Sequence, residues 1–200
     1  MLSNTAGNRA AFVGAPQAGA GSAPDDEMLA AQAVASRAAF AELYRRHADR
    51  VYRFCLGRTG SVYDAQELTA DTFLSALEGI RSYRAGHFGA WLIGIARNKV
   101  ALFYRRSRPT VALDESEPDF SPHAAVEQLV GRRIQMEKVA AALRAIAPDR
   151  AEALSLRVLG DLPTAEVARL MGKSEPAVRM LIHRGIADLR GRLSGPEERD

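Results

Sequence analysis

Apolar residues return every three or four positions through most of the chain, which is the spacing of one buried helix face. In the first half, three such stripes occupy about 40–55, 65–80 and 91–103. Asp25, followed by two further acids, supplies an N-cap for a helix ahead of the first stripe. β-Branched and aromatic residues nowhere alternate over five or more positions, so we expect helices and essentially no sheet.

The second half carries four shorter periodic segments, separated by breaks that contain Gly or Pro. They predict helices at roughly 124–147, 149–159, 163–171 and 175–192. Between the halves lies a stretch with three prolines and four acids, which is typical of a linker.

The predicted architecture is therefore all-α, with two small helical domains joined by a flexible acidic linker. The first residues are rich in Ala, Gly, Asn, Pro and Ser without an apolar period, and Met28 is a possible alternative start. The predicted parts are a disordered tail (1–24), a first domain (25–108), the linker (109–126), a second domain (127–194) and a short tail (195–200).

The net charge of +3 conceals a strong segregation of charge along the chain. Residues 36–108 carry +7 and residues 127–194 carry +4, while the linker 109–126 carries −4. Two basic blocks on either side of an acidic connector indicate a polyanionic partner such as nucleic acid.

Composition excludes several classes of protein. With 47% apolar and 26% charged residues, the chain is typical of a globular protein. No apolar run approaches the ~20 residues of a membrane span, and the start lacks the pattern of a secretory signal. The single cysteine, Cys55, and four scattered histidines offer no disulfide and no metal-ligand spacing. We expect a cytoplasmic protein that is not an enzyme and has no metal or other cofactor.

Residues 163–178 have the pattern of a helix-turn-helix unit. Thr164 is placed to cap a two-turn helix, Gly172 suits a turn at positive φ, and Ser174 is placed to cap the next helix. Such a unit sets the N-terminal half of its second helix in the DNA major groove, where Glu175, Arg179, His183 and Arg184 are candidates for contact with DNA. The alternative is a plain αα-hairpin with a solvated polar face.

Acidic residues lie close to one face of the helix predicted at 65–80. Asp64, Glu67, Asp71 and Glu78 have no Lys or Arg on that helix to offset them. They fit a docking face for a basic partner, and an ordinary solvated face fits them equally well.

Arginines alternate with aromatic residues between Arg81 and Trp91, and a second basic group follows at 97–99. This combination is typical of single-stranded nucleic-acid binding, in which cations follow the backbone and aromatic rings stack on bases. Phe88 and Trp91 also fit the core, which we favour for Trp91, whereas Asn98 has the groups to contact a base edge.

Taken together, these segments resemble bacterial sigma factors of the extracytoplasmic-function (ECF) group. The resemblance covers about residues 25–192 and rests on the segments AFAELYRRH (39–47), DAQELTADTFL (64–74), FGAWLIGIARN (88–98) and the helix-turn-helix within 162–190.

The resemblance implies three binding surfaces. Core RNA polymerase would be contacted through the clamp helices of its largest subunit and the flap of its second-largest subunit, with the linker passing through the active-site and RNA-exit channels. The residues implied for the clamp are Asp64, Glu67, Leu68 and Asp71. Those implied for the minus-ten element are Arg81, Tyr83, Arg84, His87, Phe88, Trp91, Arg97, Asn98 and Lys99. Those implied for the minus-thirty-five element are Lys173, Ser174, Glu175, Arg179, His183 and Arg184. An anti-sigma factor is a further implied partner.

Two other functions remain open at this point: a stand-alone helix-turn-helix regulator, and a sigma-like protein that titrates an anti-sigma factor. The recognition helix departs from the family pattern at Ala177, Met180 and Gly185, so the promoter sequence it reads is not implied. Gly185 is also expected to cost up to about 1 kcal/mol of helix stability.

Overall fold

The structure of the protein is a computed structural model that describes residues 25–84, 86–106 and 136–193. Across these ranges the chain is helical and contains no strand, which confirms the all-α prediction. The predicted tails 1–24 and 195–200 and the acidic linker 109–126 lie outside the described residues.

Four helices form the N-terminal bundle. They are α1 (Asp26–Ala33), α2 (Arg37–Thr59), α3 (Val62–Gly79) and α4 (Phe88–Arg106), and a 3-10 turn (Ile80–Ser82) follows α3.

Side-chain caps fix where the first three helices begin. The Asp25 carboxylate accepts the Met28 N–H at 2.7 Å, which confirms Asp25 as the predicted N-cap. The hydroxyls of Ser36 and Ser61 cap α2 and α3 in the same way. Helix α2 ends at Thr59, and the C-cap residue Gly60 takes the left-handed conformation at φ +75°. These local signals divide the periodic sequence into separate helices that fold back on one another.

Between residues 136 and 193 the C-terminal domain has four helices, and the described parts lie close to the predicted ranges. The start predicted for the first of them, 124–135, lies outside the described residues. The described part of α5 spans 136–144, and α6 (Pro148–Leu154) continues into a π-helical turn (Ser155–Leu159). Then come α7 (Thr164–Met171) and α8 (Glu175–Leu193).

Helices α7 and α8 form the predicted helix-turn-helix. Gly172 takes the left-handed conformation at φ +62°, and the Ser174 hydroxyl accepts the Ala177 N–H at 3.4 Å. The expected cap at Thr164 is wrong: Pro163 occupies the N-cap position and no side chain caps α7. Thr164 is already the first helical residue, one position too far along for its hydroxyl to serve.

Gly185 allows α8 to approach α6 closely. It is buried, and a Cβ added there would lie 2.7 Å from Leu154 Cδ1. The sequence indicated only the helix-propensity cost of this glycine, whereas the packed structure shows why a side chain does not fit.

The two groups of helices share one hydrophobic cluster. Leu156, Leu162, Val167 and Val178 of the C-terminal domain are fully buried and belong to the same cluster as the N-terminal core. In the N-terminal bundle, this cluster includes the free Cys55, whose pKa burial raises to about 12. The C-terminal domain therefore packs directly against the bundle.

Candidate nucleic-acid and protein interfaces

Helix α3 presents an exposed face that mixes acidic and apolar residues. Glu67 and Asp71 are exposed. Asp64 is half-buried, and its backbone N–H donates to the Ser61 hydroxyl that caps α3. Within the described part of the chain none of these acids has a salt-bridge partner. Leu68 differs, because it lies in the core with 7% of its surface exposed.

Exposed apolar side chains on α3 extend this acidic face. Tyr63 is 71% exposed, Leu74 56% and Leu77 45%. Tyr63 and Leu74 were not among the predicted site residues, and Leu77 lies within the apolar stripe predicted at 65–80. The available signal was their spacing of three or four positions from the acids. Apolar surface flanked by unpaired acids is suited to a protein partner with a basic, partly apolar surface.

Three aromatic rings form a cluster where α3 leads into α4. The Tyr83 ring lies 5.4 Å from Phe88 and 5.1 Å from Trp91, and Phe88 lies 5.5 Å from Trp91. Phe88 is only 2% exposed and is part of the core, whereas Tyr83 and Trp91 are half-buried. Of the three, only Tyr83 and Trp91 retain accessible surface for a base.

The loop before α4 is held in shape by its own hydrogen bonds. The Tyr83 hydroxyl donates to the Gly86 carbonyl oxygen at 2.7 Å, and the Ala90 N–H donates to His87 Nδ1 at 3.1 Å. His87, predicted to contact DNA, thus also caps the first turn of α4.

The basic residues predicted to bind single-stranded DNA differ in accessibility. Arg81, Arg84 and Asn98 are exposed, and Lys99 is half-buried. Arg97 instead contacts the C-terminal domain: its guanidinium donates to the Leu170 carbonyl oxygen at 2.9 Å and lies 2.5 Å from Glu152.

Helix α1 fastens the start of the bundle to this same loop. Glu27 accepts the Gly86 N–H at 2.9 Å, and the Asp26 carboxylate lies 2.6 Å from His47 Nε2 and 3.2 Å from Arg46. The sequence predicted these acids only as first-turn residues that suit the positive end of the helix dipole. No local signal marks their partners, because the contacts exist only after the helices pack.

His47 is buried at the centre of this contact. Burial lowers its pKa below the usual value of 6.5, against the opposing effect of Asp26. Burial also acts to raise the pKa of Asp26, but hydrogen bonds from His47 and Arg46 outweigh it and leave that pKa lowered. Nδ1 of His47 has no hydrogen-bond partner among the described residues, as expected for a neutral ring that donates through Nε2.

The six residues of the predicted duplex-reading surface are all exposed around the start of α8. Lys173 pairs with Asp149 at 3.1 Å and Glu175 with Arg179 at 3.2 Å. Ser174 is occupied as the cap, and His183 and Arg184 lie further along the helix. Because exposed ion pairs contribute little, these side chains can exchange protein partners for DNA.

Two negative findings complete the geometry. No described helix is long and apolar enough to cross a membrane. Within residues 25–84, 86–106 and 136–193, no group of three or more candidate ligands is arranged to hold a metal ion.

The fold and its surfaces define a two-domain, sigma-70-type protein. The family model for Sigma-70 region 2 matches residues 43–110, and that for Sigma-70, region 4 matches residues 136–189. The two matches fall on the N-terminal bundle and on the domain with the helix-turn-helix.

Similar proteins of known type show which group of sigma-70-type proteins this chain belongs to. ECF RNA polymerase sigma factor BldN of Streptomyces coelicolor is 37% identical over 76% of this chain and 59% of its own length. ECF RNA polymerase sigma factor SigM of Mycobacterium tuberculosis is 30% identical over 86% of this chain and 85% of its own. The chain belongs to the ECF RNA polymerase sigma factors, and it spans about three fifths of the length of BldN.

A solved structure supports the same fold. CnrH, in complex with the cytosolic domain of CnrY, matches 86% of this chain and 98% of its own at 26% identity and a TM-score of 0.64.

Proposed function

We propose that this chain is an alternative sigma factor, which binds core RNA polymerase and directs promoter recognition, melting and transcription initiation. The observation that carries the proposal is the exposure of two sets of DNA-contacting residue types on different domains of an ECF fold. One set surrounds the start of α8, and the other surrounds the loop before α4.

The C-terminal domain supplies duplex reading. With α8 in the major groove, the side chains of Arg179, His183 and Arg184 reach base edges or phosphates of the minus-thirty-five element. Lys173 and Ser174, at the helix start, contact phosphates, since backbone N–H groups and the helix dipole favour anions there. Glu175 is an acceptor for a cytosine amino group.

The N-terminal bundle supplies recognition of the unpaired minus-ten element. The exposed Arg81 and Arg84 follow the backbone, and the accessible parts of Tyr83 and Trp91 stack on a base. Asn98 offers both a donor and an acceptor to a base edge. Phe88 supports the other rings from the core, and His87 holds the start of α4.

The acidic and apolar face of α3 is proposed to dock on the clamp helices of the largest polymerase subunit. Glu67 and Asp71 meet basic residues there, and Tyr63 and Leu74 add the apolar contact that stabilises such an interface. Leu68 acts indirectly by fixing α3 to the core.

The energy of melting shows why core polymerase is required. DNA costs about 1.4 kcal/mol per base-pair step, so a bubble of on the order of ten pairs requires roughly 14 kcal/mol. Each stacked base returns only about 1–3 kcal/mol. The chain has few such rings, so most of the binding energy must come from the holoenzyme.

The test is promoter binding by gel shift and permanganate footprinting, with and without core polymerase. We expect weak duplex binding by the free chain and open-complex formation only with core. The double variant Arg84→Ala/Asn98→Ala should reduce open complexes at least tenfold, whereas Arg106→Ala, an exposed change at the end of α4, should not. Tight, specific duplex binding by the free chain that survives the double variant would identify a stand-alone regulator instead.

A regulatory protein partner is also proposed. CnrH is similar over nearly its whole length and binds the cytosolic domain of CnrY. By analogy, an anti-sigma factor binds this chain in the cytoplasm, and the holoenzyme associates with the nucleoid. The chain itself carries out no chemistry in this proposal and requires no cofactor.

A further inference from the structure

Both polar groups of the Gly86 backbone are bonded to side chains. Its N–H donates to the Glu27 carboxylate on α1 at 2.9 Å, and its carbonyl oxygen accepts a hydrogen bond from the Tyr83 hydroxyl at 2.7 Å. Gly86 takes φ +149°, and a Cβ built there would meet nothing within 4 Å among the described residues. The position therefore needs glycine for its backbone conformation and not for space. Because glycine has the freest backbone of any residue, the bond from α1 restricts a point of the loop that is otherwise mobile.

The Tyr83 hydroxyl acts as the donor in this arrangement. Burial, together with the nearby charge of Glu27, raises the pKa of Tyr83 above its usual value of 10.0, so the hydroxyl stays protonated at neutral pH. The Tyr83 ring packs against Phe88 and Trp91 and remains partly accessible. The orientation of this accessible ring thus depends on Gly86, and the position of Gly86 depends on Glu27.

A second acid of α1 reaches the same rings from the core side. The Asp26 carboxylate holds His47, whose ring lies 5.3 Å from the Phe88 ring. Phe88 in turn packs against Tyr83. The two contacts of α1 differ in burial, because His47 is buried whereas the hydrogen bond to Glu27 is exposed. Loss of the Glu27 bond should therefore change the loop with little effect on the stability of the fold, since water competes for exposed polar groups.

We propose that Glu27 is a positioning residue for recognition of the minus-ten element. Through Gly86 it holds the Tyr83 ring in the orientation that stacks on an unpaired base. A loop that is ordered before DNA arrives loses less entropy on binding, which increases the affinity. This role rests on the proposed sigma function for its ligand, whereas the hydrogen bond and the orientation of the ring do not depend on that function.

Charge alone predicts the opposite effect of removing Glu27. An acid beside a DNA-binding loop repels the phosphates of the strand, so its removal would strengthen binding. Loss of positioning weakens binding instead. Glu27→Gln separates the two roles, because glutamine keeps an acceptor oxygen for the Gly86 N–H but carries no charge.

The first test needs no ligand and uses Trp91, the single tryptophan of the chain. Its ring lies 5.1 Å from the Tyr83 ring, so quenching of its fluorescence by acrylamide reports whether Tyr83 stays in place. We expect Glu27→Ala to increase quenching in the full chain and Glu27→Gln to leave it at the wild-type value. Gln32→Ala is the matched control, since it removes another exposed polar side chain of α1.

The second test measures binding of a short single strand by wild-type and variant holoenzymes. The strand, of about twelve nucleotides, is the sequence that the wild-type holoenzyme selects from a randomised pool. Abasic substitutions along this strand identify the position at which a base is stacked. We expect Glu27→Ala to lower the affinity for the intact strand at least about threefold and to reduce the abasic effect at that position, with urea unfolding unchanged. Glu27→Gln and Gln32→Ala should both retain wild-type values.

Unchanged Trp91 quenching in Glu27→Ala would overturn the proposal, as would an affinity equal to or above that of the wild type. An equal loss of affinity in Glu27→Gln, or an abasic effect that stays the same at every position, would overturn it too. Failure of the proposed function would look different. The wild-type holoenzyme would then select no strand and form no open complex, while Trp91 quenching would still separate Glu27→Ala from Glu27→Gln.

Discussion

The contact between Asp26 and His47 offers a sharp test of how α1 is fastened to the bundle. Asp26→Asn keeps the shape of the side chain but removes its charge. Arg46 keeps its bond to Glu42 at 2.9 Å, so the loss falls mainly on His47, whose side chain is 5% exposed. A hydrogen bond to a charged group contributes about 1.5–3 kcal/mol. Because the Asp26 side chain is 32% exposed, we expect a value near the lower end, about 2 kcal/mol.

The assay is thermal and urea unfolding at pH 7.5. For a chain of this size about 2 kcal/mol corresponds to a fall of roughly 4–8 °C in Tm. Asp25→Asn is the matched control, since Asn caps a helix as well as Asp and the Asp25 carboxylate accepts the Met28 N–H. If Asp26→Asn stays within about 0.5 kcal/mol of the wild type, or if both variants lose the same stability, the contact does not hold α1 in place.

Three further predictions follow from the packing, the buried histidine and the recognition helix. Because burial lowers the pKa of His47, the unfolded chain binds more protons than the folded chain just below pH 6.5. The free energy of unfolding, measured with urea, should therefore fall from pH 7 to pH 5.5. His47→Gln should flatten this pH profile, and an unchanged slope in that variant would contradict the assignment to His47. Gly185→Ala should destabilise the chain by about 1–3 kcal/mol in the same assay, although alanine has the better helix propensity. Gly191→Ala, where the added Cβ meets no atom within 4 Å, should not destabilise it. If Gly185→Ala were instead more stable than the wild type, α6 and α8 would be able to move apart at no cost. Arg184→Ala should weaken holoenzyme binding to a duplex that carries the minus-thirty-five element, as measured by fluorescence anisotropy across salt concentrations. If Arg184 contacts a phosphate, the slope of log affinity against log salt concentration should fall in magnitude by about one. An unchanged slope together with a lost base preference would show that Arg184 contacts a base edge instead.

Much of the architecture was predictable because its signals are local. The caps at Asp25 and Ser174 and the positive φ at Gly172 each depend on residues within one turn. The wrong cap at Thr164 shows that such signals locate a helix start to within about one residue. A cap at Thr164 requires the helix to begin at the next residue, whereas α7 begins at Thr164 itself, directly after Pro163.

Some of the predicted binding residues are exposed and others are buried, depending on which face of the helix each one occupies. Glu67 and Asp71 are exposed as expected, while Leu68 lies between them in sequence and is buried. Phe88 likewise belongs to the core although its neighbours in the loop are accessible. An aromatic or apolar residue in a binding motif does not reveal which way it points, because both the core and a ligand favour the same side chain.

The helices, the helix-turn-helix and the family were all predictable from the amino-acid sequence, because each rests on spacing within a few residues or on motifs in a fixed order. The contacts between distant residues became visible only in the folded chain: Asp26 with His47, Gly185 with Leu154, and Arg97 with Glu152 and Leu170. Arg97 and Leu170 are separated by 73 positions, and no local pattern relates them. Such contacts follow from how helix faces fit when they pack, which depends on the shape of the whole core.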